Sequence, residues 1–132
     1  MWQAYYRKWE SATRSVLDPA LQELVPALAQ FAPPAKSIDK PVYSAFATGE
    51  LYAWLREMHV NTLIVSGPET DVCVLASVLA AVDLGYPVVV VKDGLCSSSD
   101  EAHDSTLNLF MRRFDLQIEL TDAARVLETQ RL

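Results

Sequence analysis

Short buried strands alternate with helices along most of this chain, and this alternation restricts its fold more than any other feature. The runs TLIVS (Thr62–Ser66) and PVVVV (Pro87–Val91) predict two strands, and the nearly all-apolar segment Thr70–Leu84 predicts a helix between them. Continuous β-branched runs are typical of parallel strands that are covered on both faces. A strand, a helix and a second strand in this order favour a parallel sheet with right-handed crossovers. We therefore predict an α/β fold built on a parallel sheet.

Turn residues and helical spacing predict further elements on both sides of this unit. Asp18-Pro19 is a good helix start, because Asp caps a helix and Pro suits its first position, and this helix should stop near Phe31. Gly85 should close the apolar helix in a left-handed conformation. The other predicted elements are a strand at Lys36–Asp39, a helix at Thr48–Met58, a helix at Ser98–Arg113, a strand at Gln117–Leu120 and a helix at Thr121–Thr129.

Length and composition limit the class of protein. The chain has 132 residues, which suits one domain spanning residues 1–132. Hydrophobic residues make up 51% and charged residues 21%, a globular composition. The longest apolar run is too short to cross a bilayer, and the N-terminus lacks the apolar stretch of a signal peptide. We therefore expect a cytoplasmic protein without a membrane partner.

The net charge and the cysteine content limit the kinds of partner and ligand that we expect. The net charge is −6, and an acidic chain repels phosphate backbones, so we expect no nucleic-acid partner. The two cysteines, Cys73 and Cys96, are too few for a disulfide framework, and their separation matches no metal motif. Asp100, His103 and Asp104 cluster in sequence, but they are also ordinary residues for a helix start. We predict no metal and no cofactor.

The strongest local signal is Gly67-Pro-Glu-Thr-Asp-Val-Cys73-Val74, between a predicted strand and a predicted helix. In parallel sheets the site lies at the carboxyl ends of the strands, where this segment falls. If Thr70 caps the helix, Cys73 lies in the first turn, where backbone N–H groups and the helix dipole favour a thiolate. The alternative is that Cys73 is a small apolar core residue, as many free cysteines are.

The second signal is the segment Asp39-Lys40-Pro-Val-Tyr43-Ser-Ala-Phe46. Lys40 follows a predicted strand and would lie at the same edge of the sheet. A cation beside a thiol favours the thiolate and stabilises developing negative charge. A solvated surface lysine is the alternative, and Tyr43 and Phe46 either line a substrate pocket or pack in the core.

Together these two segments, with the Ala-x-x-x-Gly-Tyr turn that ends at Tyr86, resemble the isochorismatase-like family of cysteine hydrolases, which includes nicotinamidases and carbamoylsarcosine amidases. The resemblance covers the chain well from about Ala35 onward. It implies a doubly wound α/β fold and a triad of Asp, Lys and Cys. It assigns Cys73 as the nucleophile, Lys40 as its cationic partner and the N–H groups of Val72 and Cys73 as oxyanion donors. It also implies a cis peptide at Pro68-Glu69.

The triad's aspartate, which in the family ends the first strand before an x-Gln pair, has no counterpart in this sequence. We therefore expect the isochorismatase-like fold without its first two strands and first helix, an N-terminally incomplete domain. Asp93, at the end of the PVVVV strand, is the only substitute that the sequence offers. The TLIVS strand would be left with a bare apolar edge, and such edges pair with other chains. A homo-oligomer is the expected result.

Two functions follow from this interpretation. The first is a cysteine-dependent hydrolase of the C–N bond in a small amide, which would be inactive in this form if the aspartate is required. The alternative is a catalytically dead family member that binds a small ligand or acts as an oligomerisation module. A thiol redox protein is disfavoured, because the chain has no Cys-x-x-Cys motif.

Overall fold

A computed structural model of the chain describes residues 1–129. They form two compact units, of which the first is Met1–Ser37 and the second begins at Ile38. Within the described residues, every helix is too short or too polar to span a membrane.

The first unit contains only short helical pieces. Helix α1 is Trp2–Lys8, helix α2 is Pro26–Ala29, and single 3-10 turns lie at Glu10–Ala12 and Pro19–Leu21. None of these four pieces contains a buried residue. A helix that buries nothing gains little from tertiary packing, so local sequence decides where each piece begins and ends.

The long helix predicted from Asp18 to near Phe31 is wrong. Asp18 does cap a helical turn, because its Oδ1 accepts a hydrogen bond from the Ala20 amide at 2.9 Å. The turn then ends, and α2 starts afresh at Pro26, preceded by Val25 in an extended conformation with ψ 143°. Proline lacks an amide hydrogen and disfavours a helical conformation in the preceding residue, so the apolar spacing could not sustain a continuous helix.

The second unit carries the sheet. In chain order its elements are helix α3 (Glu50–Glu57), strand β1 (Leu63–Pro68), a π-helical turn (Thr70–Val74) that leads into helix α4 (Leu75–Asp83), strand β2 (Val88–Cys96), helix α5 (Asp100–Arg113), strand β3 (Ile118–Thr121) and helix α6 (Ala123–Thr129). Gly85 has φ +86° just after α4, which confirms the predicted left-handed cap.

The three strands form a parallel sheet in the order β1-β2-β3. Val65 lies opposite Val90 on β2, and Val90 lies opposite Leu120 on β3. The register of β1 and β2 shifts between Val65 and Gly67, close to the carboxyl ends of the strands. The predicted α/β fold with a parallel sheet is confirmed, and β2 extends five residues past the predicted end at Val91, to Cys96.

Alternate residues of the strands face opposite sides of the sheet, and helices lie against both. Val88 and Val90 are almost fully buried and belong to the main core. That core also contains Val78 of α4 and Phe110 of α5, each with 0% of its surface exposed. On the opposite face, the α6 side chains line a cavity together with neighbouring residues of all three strands. This arrangement is doubly wound.

The strand predicted at Lys36–Asp39 is wrong, because these residues form no regular element. A strand requires a hydrogen-bonded neighbour, and within residues 1–129 the sheet consists of β1, β2 and β3 alone. The outer edge of β1 therefore has no strand beside it in the described part of the chain. Ile64 on this strand has 49% of its surface exposed, a high value for the apolar residue of a parallel sheet.

Candidate active site

The turn that carries Cys73 follows β1 directly and is wider than an α-helical turn. The amide of Val74 donates to the Glu69 carbonyl at 3.0 Å, and the amide of Leu75 donates to the carbonyl of Thr70. These bonds span five residues, and such π-helical turns occur frequently at functional sites. The half-buried Cys73 therefore lies within a π-helical turn ahead of α4 and not in the first α-helical turn that the sequence predicts.

Lys40 and Cys73 are in direct contact. The Nζ atom of Lys40 donates a hydrogen bond to the Cys73 Sγ at 3.0 Å and also lies 3.4 Å from the carbonyl oxygen of Val42. Lys40 belongs to an irregular segment, so it is a loop that brings the ammonium group to the sulfur. An adjacent cation favours the thiolate, which is the nucleophilic form of cysteine.

Ser77 ties the segment after Lys40 to the helix after Cys73. Its hydroxyl donates to the Cys73 carbonyl at 2.7 Å, four residues back along the helix. The same oxygen accepts a hydrogen bond from the Ala45 amide at 3.0 Å. One half-buried hydroxyl thus connects both segments that meet at the sulfur. Sequence reasoning missed this residue, although a lone serine in an apolar helix is a signal that a polar group is needed there.

A cavity of about 390 Å³ opens beside this pair. Its lining includes Lys40, Phe46 and Cys73, together with apolar side chains of α3, β1 and α4. Phe46 is thus placed in the cavity wall, whereas Tyr43 is not among the residues that line this cavity. A mostly apolar cavity with a few polar groups at one end is typical of sites for small molecules.

The backbone on the amino-terminal side of Cys73 only partly matches the expected oxyanion donors. The Val72 amide, an expected oxyanion donor, donates to the Glu69 carbonyl at 3.2 Å and so helps to close the turn. The Cys73 amide has no recorded partner outside its own helix among residues 1–129. The peptide between Pro68, which lines the cavity, and Glu69 is cis.

A second network of hydrogen bonds, which includes His103, lies outside the cavity lining. The Thr70 hydroxyl contacts the Cys96 carbonyl at 3.1 Å and the Nδ1 atom of His103 at 2.8 Å. Ser97 donates from its hydroxyl to the Asp71 carboxylate. These bonds attach the start of the π-helical turn to the end of β2 and to α5. The sequence singled out His103 only as a metal candidate and did not indicate its contact with Thr70.

Asp93, the candidate substitute for the family's aspartate, is bound at a different place in the fold. Its Oδ1 atom accepts a hydrogen bond from the Ala123 amide at 2.8 Å, which caps the start of α6. Across residues 1–129, no carboxylate is recorded in contact with Lys40 or with Cys73. The same residues contain no cluster of three or more His, Cys, Asp or Glu side chains that is arranged to hold a metal ion.

The chain is similar in sequence to known proteins. Residues 1–124 match the family model of the isochorismatase domain. An isochorismatase family protein of Bacillus subtilis, PncA, is 35% identical over 81 residues, which cover 61% of this chain and 44% of that protein. The nicotinamidase of Escherichia coli is 44% identical over 52 residues, which cover 39% of this chain and 24% of the enzyme.

The fold comparison gives the same family. The crystal structure of nicotinamidase PncA from Bacillus subtilis superposes with a TM-score of 0.65 and 29% identity, over 71% of this chain and 53% of that one. This chain spans less than half of the length of the curated relatives that it matches. Because the family model covers nearly all of its residues, the chain belongs to the isochorismatase family.

Proposed function

We propose that this protein hydrolyses the C–N bond of a small amide, with Cys73 as the nucleophile and Lys40 as its cationic partner. The observation that carries the proposal is the 3.0 Å contact between the Lys40 ammonium and the Cys73 sulfur at the wall of a cavity. Two relatives that are described as nicotinamidases support a small amide as the substrate class.

In the proposed reaction the Cys73 thiolate forms a bond to the carbonyl carbon, and the Cys73 amide stabilises the oxyanion. The C–N bond then breaks, and the leaving nitrogen takes a proton from the Lys40 ammonium. Water cleaves the resulting thioester, returns a proton to Lys40 and releases the acid together with the free thiolate. Phe46 shapes the cavity around the acyl group.

The described residues provide no carboxylate general base for hydrolysis of the thioester. Activation of water is faster with a general base, and no carboxylate is recorded beside the pair in residues 1–129. We therefore expect the acyl-enzyme to form faster than it is hydrolysed. Intact-mass spectrometry after incubation with a small amide should then detect an adduct on Cys73.

The deciding experiment measures ammonia release from a panel of small primary amides that includes nicotinamide. Hydrolysis should be lost in Cys73→Ala and should be retained in Cys96→Ser, which changes an exposed thiol in the last residue of β2. Hydrolysis that survives Cys73→Ala, or adduct formation at Cys96 alone, would contradict the proposed role of Cys73.

A second candidate function is a module that self-associates through β1, and it is favoured by the open edge of this strand. Unpaired edges present backbone donors and acceptors to other chains. The strand carries no charged residue to oppose such pairing. A protein of this kind would form dimers whose fraction rises with concentration in light scattering, and it would release no ammonia from any amide in the panel.

A further inference from the structure

The hydroxyl of Thr70 bridges two groups that come from different elements. It lies 3.1 Å from the carbonyl oxygen of Cys96, at the end of β2, and 2.8 Å from Nδ1 of His103, in the first turns of α5. Thr70 is fully buried, with 0% of its surface exposed, and His103 is half-buried. A buried hydroxyl must find its hydrogen-bond partners within the protein. The Cys96 carbonyl and the His103 ring are the two partners of Thr70.

Counting hydrogens assigns the direction of both bonds. A threonine hydroxyl has one hydrogen to donate, and a carbonyl oxygen accepts only. The Thr70 hydrogen is therefore directed at the Cys96 carbonyl, and the Thr70 oxygen must accept from His103. It follows that Nδ1 of His103 carries a hydrogen, whereas the Nε2–H form of a neutral imidazole would leave two lone pairs facing each other.

We propose that His103 is a positioning residue, whose Nδ1–H holds Thr70 in place and so fixes the π-helical turn that carries Cys73. Thr70 is the right residue for this role, because its carbonyl accepts the Leu75 amide and so closes the turn around Cys73. His103 acts on the sulfur through this backbone and lies outside the lining of the cavity. Its effect on catalysis rests on the proposed function, whereas its effect on the turn does not.

The proton on Nδ1 can be observed directly in the unmodified chain. The sequence contains two histidines, His59 and His103, so selective ¹⁵N labelling gives only two imidazole rings to assign by NMR. His59→Asn identifies the second ring, since asparagine tolerates the left-handed backbone at this position, where φ is 54°. At pH 8.5 the Nδ1 of His103 should show a protonated-type shift, and an unprotonated Nδ1 would overturn the proposal.

Two isosteric substitutions test whether this proton positions the turn. The side-chain amide nitrogen of asparagine matches Nδ1 of histidine, and that of glutamine matches Nε2. Hydrogen exchange at the amides of Val74 and Leu75 should stay within about twofold of the unmodified rate in His103→Asn and should rise roughly tenfold or more in His103→Gln. Equal exchange rates in these two variants would show that Nδ1 has no positioning role.

A third measurement connects the turn to the chemistry. In a Cys96→Ser background, the rate of Cys73 alkylation by iodoacetamide should fall about tenfold in His103→Gln and should be largely retained in His103→Asn. If the unmodified Cys73 alkylates no faster than an ordinary surface thiol, the proposed function fails, while the NMR and exchange results still decide the role of His103.

Discussion

The ammonium nitrogen of Lys40 lies 3.0 Å from the sulfur of Cys73, although 33 positions separate the two residues in the sequence. The lysine belongs to an exposed, irregular segment, and the cysteine belongs to a turn between a strand and a helix. Ser77 joins the two parts by accepting from the Ala45 amide and donating to the Cys73 carbonyl. The contact therefore depends on how the loop is held to the helix, and the Ser77 hydroxyl is one of the groups that hold it there.

The first prediction concerns the reactivity of the two thiols. Near neutral pH, iodoacetamide should alkylate Cys73 faster than Cys96, because the Lys40 ammonium lies 3.0 Å from the Cys73 sulfur and stabilises negative charge on the attacking atom. Lys40→Met keeps most of the side-chain length but removes the charge, and it should slow alkylation of Cys73 by about tenfold. Peptide mapping by mass spectrometry measures both rates in the same sample.

A matched control for this experiment is Lys92→Met. Lys92 forms an exposed ion pair with Asp122 at 3.3 Å, whereas the Cys73 sulfur accepts from Lys40. This variant should leave the alkylation of both thiols unchanged. Equal and slow labelling of Cys73 and Cys96 in the unmodified chain would argue that Cys73 is an ordinary packed cysteine.

The second prediction concerns the bridge made by Ser77. Ser77→Ala leaves the Ala45 amide and the Cys73 carbonyl without this partner, and it should lower the free energy of unfolding by about 1–3 kcal/mol. It should also slow alkylation of Cys73, because the loop that carries Lys40 is then less firmly held. Ser105→Ala, at an exposed position of α5, is the control and should change stability by less than about 0.5 kcal/mol. Denaturant titration compares the two.

The third prediction separates Asp93 from the chemistry. Asp93 accepts from the Ala123 amide at the start of α6, so Asp93→Ala should reduce stability by about 1 kcal/mol, as the loss of a helix cap does. Asp93→Asn retains an acceptor and should cost less. Neither variant should alter the alkylation rate of Cys73. A large loss of Cys73 reactivity in Asp93→Asn would instead return this residue to the list of site residues.

The fourth prediction concerns the open edge of β1. The Leu63 amide donates to the Pro87 carbonyl, at the entrance to β2, and amides of successive residues in a strand point in opposite directions. The Ile64 amide therefore points away from β2. Proline at position 64 should block pairing with another chain and preserve the contact with β2, because edge strands tolerate proline where the N–H faces solvent.

The measurement for this edge is light scattering over a concentration series. If β1 mediates association, Ile64→Pro should shift the protein toward the monomer while circular dichroism shows that the fold is kept. Val65→Pro is the matched variant, because its amide points toward β2, and it should destabilise the fold by roughly 3 kcal/mol or more. A dimer fraction that is the same with and without Ile64→Pro would exclude this edge as the interface.

The second unit of the fold was largely predictable from local patterns. The apolar runs around Val65 and Val90 gave two buried strands, and Gly85 marked the end of the helix between them, since only a residue that tolerates positive φ closes a helix in this way. The prediction of a further strand failed, because a strand requires a hydrogen-bonded neighbour. A strand was predicted at residues 36–39, but no neighbouring strand is present in residues 1–129 to receive its hydrogen bonds.

The sequence by itself determined the chemistry that is available, because residue types and their spacing mark Cys73 and Lys40 as candidates before any fold is known. Only the tertiary structure decided which groups meet. In the fold, Lys40 contacts the Cys73 sulfur, and the Val72 amide donates within its own turn. Asp93 accepts from the first amide of α6, and His103 contacts Thr70. The physical reason is that hydrogen bonds require their atoms within about 3 Å, and sequence spacing cannot specify this distance for residues on different elements.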